Sequence, residues 1–345
     1  MNRLEMLTKV DKIYTRLQDE ESQEVFEARI NYMIDRDWLK LWHQIKKNKE
    51  WYFNNYRLED ENYIIFGAGL MGKLMKEILE EGHKKVMFFV DNDEKKHGIS
   101  IDGKNVFGVS ELLNYPQTKL VVSNRIYTRE AIKQLKDIGA TNEVIDESEV
   151  CAFTGKQYFD VFTSSSDECF IDAGCFDGGT IVDFIEWMDG KDYSHIYSFE
   201  PDTHSIINCQ KKIEDNGIER VTLIPKGTYS KESILRFSDD GTGGSCFCEQ
   251  GNMRNIEVPV TSIDQVLQGG RATYIKMDVE GSEKETILGC RNTIERYHPK
   301  MAVCVYHKPF DFIELPLLLL EMNPDYKFYI RHYASNLCET VLYAI

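Results

Sequence analysis

The sequence predicts an α/β protein with two open parallel sheets, a small one and a larger one, behind a helical N-terminal region. Three observations carry this. Short apolar runs alternate with helix-length segments across 62–145 and again across 169–306. A glycine-rich turn follows the first strand of each half. The 345 residues also exceed what one compact core ordinarily holds. The expected division is a helical region over 1–58, a small Rossmann-like unit over 59–147, a linker over 148–166 and a large α/β domain over 167–345.

Residues 1–58 lack Gly and Pro and space apolar residues helically, as in Val25-Phe26, Ile30, Met33 and Trp38-Leu39-Leu41-Trp42. This aromatic face is expected to pack on the following domain or to form a homodimer. The pattern changes at Asn62. A buried strand, Tyr63–Phe66, runs into Gly67-Ala68-Gly69-Leu70-Met71-Gly72 and a helix over Lys73–Glu81. A second strand, Val86–Val90, ends in Asp91. Strands near Leu120–Val122 and Glu143–Ile145 flank a helix over Ala131–Ile138.

The second half repeats this logic, with strands read at Cys169–Ala173, His195–Phe199, Val221–Pro225, Tyr274–Asp278 and Met301–Tyr306. Its end differs. Tyr326–Arg331 and Thr340–Ala344 flank a Ser335-Asn336 turn and read as an antiparallel hairpin. Five parallel units closed by a hairpin are the layout of the sheet that binds S-adenosylmethionine (SAM) in class I methyltransferases.

The first strand of this half leads into Asp172-Ala173-Gly174-Cys175-Phe176-Asp177-Gly178-Gly179. Glycines at 174 and 178 allow a tight turn and close backbone approach to a ligand. Asp172 is placed to meet the amino group of a bound methionine moiety. A glycine turn alone serves nucleotides generally. The second strand adds Glu200, at the position that grips ribose hydroxyls in such folds. Pro201 keeps Glu200 extended, and Asp202 is expected to cap the next helix.

The runs Phe170–Gly174, Ser198–Pro201, Val260–Asp264 and Lys276-Met277-Asp278-Val279-Glu280-Gly281-Ser282-Glu283 resemble the FkbM family of SAM-dependent methyltransferases. They occur in the family's order and cover essentially all of 170–345. The resemblance implies SAM at Asp172, Gly174, Gly178 and Glu200, and O-methylation of a sugar hydroxyl, as for polysaccharide biosynthesis.

Candidate catalytic residues gather at the carboxyl ends of the fourth and fifth strands, where ligands bind in these sheets. Strand alternation puts Lys276, Asp278 and Glu280 on one side. A lysine inside a strand needs a partner, expected to be one of those two acids. The trio is either a structural ion pair under the cofactor or works directly on the acceptor, with Asp278 or Glu280 as base. His307 is a second base candidate, or a solvated loop residue. The family commonly carries Glu two positions before this His, where this chain has Val305. Ser282-Glu283-Lys284-Glu285 reads as a capping box, which leaves Glu285 out of the site. The glycine-rich run Ser238–Ser245 reads as a mobile loop on the acceptor side or as a plain hairpin turn.

In the first half, Gly67, Gly69 and Gly72 match G-x-G-x-x-G, and Asp91 falls near the offset of a ribose-binding acid. Only one mononucleotide-binding half follows. Phe89–Asp93, Gly98 and the hairpin at Asp102-Gly103-Lys104 resemble nucleotide-sugar-associated Rossmann-like domains of bacterial glycan pathways. No ligand, a nucleotide or nucleotide-sugar, and NAD all stay open for this unit.

A net charge of -16 argues against nucleic acid and anionic membranes as partners. No apolar stretch is long enough to span a bilayer or act as a signal peptide, and the nine scattered cysteines fit a reduced compartment, so a cytoplasmic location is expected. No metal is expected, because Cys246 and Cys248 have no second ligand pair at zinc spacing. Two other function classes compete with methyl transfer. One is a NAD-dependent sugar-nucleotide oxidoreductase using the first glycine motif, the other a non-catalytic binding protein on a SAM-type fold.

Overall fold

The computed structural model describes residues 3–46, 51–53, 58–123, 127–153, 155–239, 254–334 and 337–345. The chain forms two compact units. One comprises Met1–Met33, Gly155–His332 and Cys338–Ile345, the other Ile34–Thr154 with Tyr333–Leu337. The helical stretch is therefore divided: α1 (Arg3–Tyr14) and most of α2 (Glu20–Asp35) belong to the first unit, α3 (Trp38–Ile45) to the second.

In the 34–154 unit, Asp37 caps α3 by accepting from the Lys40 amide at 3.2 Å. Trp38, Leu41, Trp42 and Ile45 form its buried stripe. Then come β1 (Trp51–Phe53), β2 (Asn62–Phe66), α4 (Leu70–Glu81), β3 (Lys85–Val90), the short β4 (Ser100–Ile101) and β5 (Lys104–Phe107). β6 (Lys119–Val122), α5 (Thr128–Ile138), β7 (Val144–Asp146) and β8 (Cys151–Phe153) complete it. One sheet has the order β4-β5-β3-β2-β6-β7, parallel except for the β4–β5 hairpin. β2 lies at its centre with Tyr63, Ile64 and Ile65 wholly buried, as a strand covered on both faces requires. β1 and β8 form a separate antiparallel pair, so part of the expected linker is strand.

The larger unit continues with β9 (Glu168–Ala173), α6 (Gly179–Met188), β10 (Tyr193–Phe199), α7 (Thr203–Asp215) and β11 (Val221–Ile224). β12 (Gly227–Thr228), β13 (Ser233–Asp239), β14 (Arg254–Thr261), α8 (Ile263–Leu267), β15 (Tyr274–Met277), α9 (Glu283–Leu288) and α10 (Arg291–Tyr297) follow. The chain ends with β16 (Lys300–Cys304), α11 (Asp311–Met322), β17 (Phe328–His332) and β18 (Thr340–Ala344). The main sheet has the order β11-β10-β9-β15-β16-β18-β17. Its first five strands run parallel, and β18 inserts antiparallel between β16 and β17. That is the class I methyltransferase sheet. Pairing within β12-β14-β13 makes a small second sheet that the sequence pattern did not reveal. Residues 240–245 of the glycine-rich run, Cys246, Cys248 and the Ser335-Asn336 turn lie outside the described residues.

The aromatic face of the N-terminal helices is taken up within the chain. Ile13, Leu17, Val25 and Phe26 join the core of the large unit, and Phe26 stacks on Phe312 with ring centroids 5.1 Å apart. The α1–α2 connection also covers the edge strand β17. Gln18 N–H donates to the Phe328 carbonyl at 3.0 Å, Ile330 N–H to Ser22 Oγ at 2.9 Å, and Arg331 ion-pairs Asp19 and Glu21. An edge so paired no longer offers free backbone to another chain. The other half of the expected linker is core as well: Tyr158, Phe159 and Phe162 are buried, Phe159 against Phe170, Phe184 and Trp187. No described helix is long and apolar enough to cross a membrane.

Two expectations follow. Phe26→Ala should destabilise the protein by about 3–5 kcal/mol, read from the denaturant midpoint, by leaving a cavity against Phe312. Glu168, buried at the start of β9, accepts from Ser165 at 2.7 Å and from Thr273 and Lys300. Burial raises its carboxyl, but those hydrogen bonds outweigh burial and hold it below its ordinary value. A lowered folded-state pKa stabilises above the unfolded pKa, and the contribution is lost as pH falls through the folded one. Wild type should therefore lose stability toward acid more steeply than Glu168→Gln, measured as denaturant midpoints from about pH 6 to 3.

Candidate active site

The carboxyl edge of the main sheet opens into a cavity of about 480 Å³, the size range of small-molecule sites. Gly174 from the β9 turn, Phe199–Thr203 from β10, Val258–Val260 from β14, and Asp278–Glu280 with Ser282 after β15 line it. Five lining residues are acidic (Glu200, Asp202, Glu257, Asp278 and Glu280), and among the described lining residues none is Lys or Arg.

Glu200 occupies one wall. Its carboxylate accepts from the Phe176 amide at 3.0 Å and the Asp202 amide at 2.9 Å, which ties the glycine turn to the tip of β10. Burial raises its pKa against those two bonds. Asp202 caps α7 as expected, accepting from the Ser205 amide at 2.7 Å. Gly174 has φ +79°, and a Cβ there would lie 1.9 Å from the Asp278 carbonyl oxygen, so any other residue would push the β9 and β15 turns apart. Gly178 does not line the cavity. It starts α6 at φ +82°, where a Cβ would meet Cys209 Sγ at 2.9 Å, so its role is helix packing.

Asp172 and Lys276 do not line it either. They face each other from adjacent registered positions of β9 and β15, 3.0 Å apart and 0% and 2% exposed. The lysine's partner is thus Asp172 rather than Asp278 or Glu280. Lys276 Nζ also donates to the Gly174 carbonyl at 2.5 Å. Burial alone would lower the ammonium pKa, but the Asp172 and Asp278 charges raise it instead. Asp172 is thus paired with Lys276, beneath the glycine turn.

Asp278 and Glu280 do reach the cavity. Tyr158 O–H donates to Asp278 Oδ2 at 2.9 Å and Tyr306 O–H to Oδ1 at 3.2 Å. Glu280 has φ +51° and Gly281 φ +93°, two successive left-handed residues that turn the chain sharply beneath the cavity. His307 is not a solvated loop residue. It is 10% exposed, with Nδ1 2.8 Å from Glu283 and Nε2 3.5 Å from Asp278 and 3.4 Å from Glu280. Burial lowers its pKa, but Glu280, Glu283 and Asp278 bring it up to about 10. Burial and the Glu283 charge likewise push Asp311 up to about 6. The expected capping box does not form. Ser282 makes no side-chain cap, and Glu283 folds back to accept from the Val279 amide at 3.1 Å. Tyr158 and Glu283 were missed as site residues. Tyr158 sits in what reads as linker, and the motif around Glu283 looks like an ordinary helix start.

In the smaller unit, Gly67 has φ +104°, Gly69 opens onto free space, and a Cβ on Gly72 would lie 1.9 Å from the Gly67 carbonyl oxygen. Asp91 is engaged locally. It accepts from the Ala68 amide at 2.7 Å, the Asp93 amide at 2.8 Å and Lys96 Nζ at 2.9 Å. It closes the glycine loop.

Residues 172–334 match the family described as "Methyltransferase FkbM domain", and with the sheet order this makes the protein a SAM-dependent methyltransferase. Residues 59–145 match the family described as "C2185-like, N-terminal". Methyltransferase FkbM from Methylobacillus flagellatus KT is similar in fold, with a TM-score of 0.51 at 17% identity over 94% of this chain and 99% of that one. An rRNA methylase from Streptococcus thermophilus (TM-score 0.34, 13% identity, 53% of this chain and 87% of that one) also matches. So does precorrin-6y C5,15-methyltransferase from Geobacter metallireducens GS-15 (TM-score 0.31, 12% identity, 52% and 81%). No curated protein matches.

Removing one partner of the buried pair should be costly, because it strands a charge. Lys276→Met is expected to lose about 3–5 kcal/mol in denaturant unfolding. The double change Lys276→Met/Asp172→Leu should regain most of that loss. A double variant no more stable than Lys276→Met would contradict the pairing.

Proposed function

We propose that the enzyme methylates a hydroxyl of a sugar or glycan precursor, with SAM held between Gly174 and Glu200 and the acceptor beside Asp278 and Glu280. The observation that carries this reading is the charge of the cavity wall, five carboxylates with no Lys or Arg among its described lining residues. Such a wall attracts the cationic sulfonium of SAM and disfavours a phosphorylated acceptor. A neutral glycan hydroxyl therefore suits it better than a nucleotide-sugar.

Bound SAM would supply an electrophilic methyl carbon to the acceptor oxygen, with the C–S bonding pair left on sulfur and the hydroxyl proton passed to a base. Asp278 is the residue fitted to take it. Its two phenolic partners fix the carboxylate at the cavity edge while leaving lone pairs toward the acceptor. Alignment supplies most of the acceleration, about 7–11 kcal/mol, and a base adds about 10²–10⁴-fold.

Calorimetric titration with SAM should show binding in wild type and its loss in Glu200→Ala. Asp278→Asn should keep SAM binding but lower kcat with a neutral glycan acceptor by about 10²-fold or more. Tight NADH binding without SAM binding would favour the oxidoreductase reading instead. The engagement of Asp91 by the glycine loop weighs against that outcome.

A further inference from the structure

The turn after β15 and the loop after β16 bring together a second set of donors. Asp278 and Glu283 come from one segment and His307 from another, yet their ligand atoms all lie within 4.8 Å of one another. Glu280 adds a fourth donor at the rim, 62% exposed, with Oε2 3.4 Å from His307 Nε2. Ligands held about 2.0–2.2 Å from one cation stand roughly 3–3.5 Å from their neighbours, so a cation would draw in donor atoms that now lie within 4.8 Å of one another.

Hydrogen bonding gives independent support. Glu283 is 0% exposed, and its Oε2 lacks a hydrogen-bond partner. His307 turns Nδ1 toward Glu283 and Nε2 toward Asp278 and Glu280, so a cation would take one ring nitrogen and displace the proton there. A buried carboxylate oxygen left unpaired is costly, and a cation would offset that cost. The donors are also held from behind, as metal ligands usually are. Tyr158 and Tyr306 fix Asp278, while the Val279 and Gly281 amides fix Glu283 Oε1.

We infer that Asp278, Glu283 and His307, with Glu280 at the rim, bind a divalent transition-metal cation. Carboxylates with one imidazole match Mn²⁺ better than the thiolate-preferring metals or the all-oxygen Ca²⁺. Asp278 and Glu280 line the cavity, so the cation would sit where the acceptor oxygen is expected and would make that hydroxyl more acidic. This catalytic role rests on the methyl-transfer reading. Binding of the cation does not.

The test uses full-length protein stripped with chelator and titrated with MnCl₂ by calorimetry and by the free-Mn²⁺ paramagnetic resonance signal. One Mn²⁺ per chain is expected. His307→Ala and Asp278→Asn should each weaken it tenfold or more. Glu280→Gln, at an exposed position that leaves folding intact, should weaken it several-fold. No binding by wild type up to about 1 mM Mn²⁺, or wild-type affinity in all three variants, would overturn the site. SAM titration of the same samples separates the two readings. Mn²⁺ binding without SAM binding leaves the site standing and retires the methyl-transfer chemistry proposed above, while SAM binding without Mn²⁺ does the reverse.

Discussion

The buried ion pair between Asp172 and Lys276 is the constraint around which the large unit is arranged. It joins the two central strands at their carboxyl ends, where one turn carries the glycine loop and the other carries Asp278 and Glu280. A lysine in the middle of a sheet is tolerable only if its charge and its donors are satisfied. Asp172 supplies the charge, and the Ala173 and Gly174 carbonyls supply acceptors. The lysine therefore also clamps the backbone of the glycine turn. The 1.9 Å approach that a Cβ on Gly174 would make to the Asp278 carbonyl shows how tightly these two turns are pressed together.

A second layer of order follows from this clamp. With the β15 turn fixed, Asp278 is held by hydroxyls from Tyr158, which precedes the sheet, and from Tyr306, which ends β16. Tyr158 is itself held, its amide by Tyr343 and its carbonyl by Tyr274. The segment before β9 thus becomes part of the site instead of a spacer. The N-terminal helices act at the far edge of the sheet, where they cap β17 with backbone bonds and an arginine network. Residues far apart in the chain support one sheet at its centre and at its rim.

The acid-rich character of the cavity and of the cluster beneath it has one origin. Glu200, Asp278, Glu280 and Glu283 all occupy strand ends or the turns just after them, where parallel strands converge on one edge. Burial together with these carboxylates raises the pKa of Asp311, and the carboxylates raise that of His307 against its burial. It also makes the edge attractive to cations, whether a sulfonium or a metal.

Local pattern was enough to read the strands, the two glycine turns, the terminal hairpin and the presence of an acid at position 200, because these depend on residues close in sequence. Alternation also placed Asp278 and Glu280 on the working edge. Pairing across the sheet was not legible. Strand alternation puts Lys276 on the same side as Asp278, but only the register of β9 against β15 brings Asp172 to it. Only the return of the chain after β16 seats His307 among three carboxylates, in place of the Glu–His pair that Val305 removed. The sequence by itself thus determined the kind of fold and which edge works, since backbone propensity and side-chain period are local properties. Tertiary structure decided which acid holds the lysine, which tyrosines hold Asp278 and what surrounds His307, because register and burial set those contacts and neither is written in any short stretch of chain.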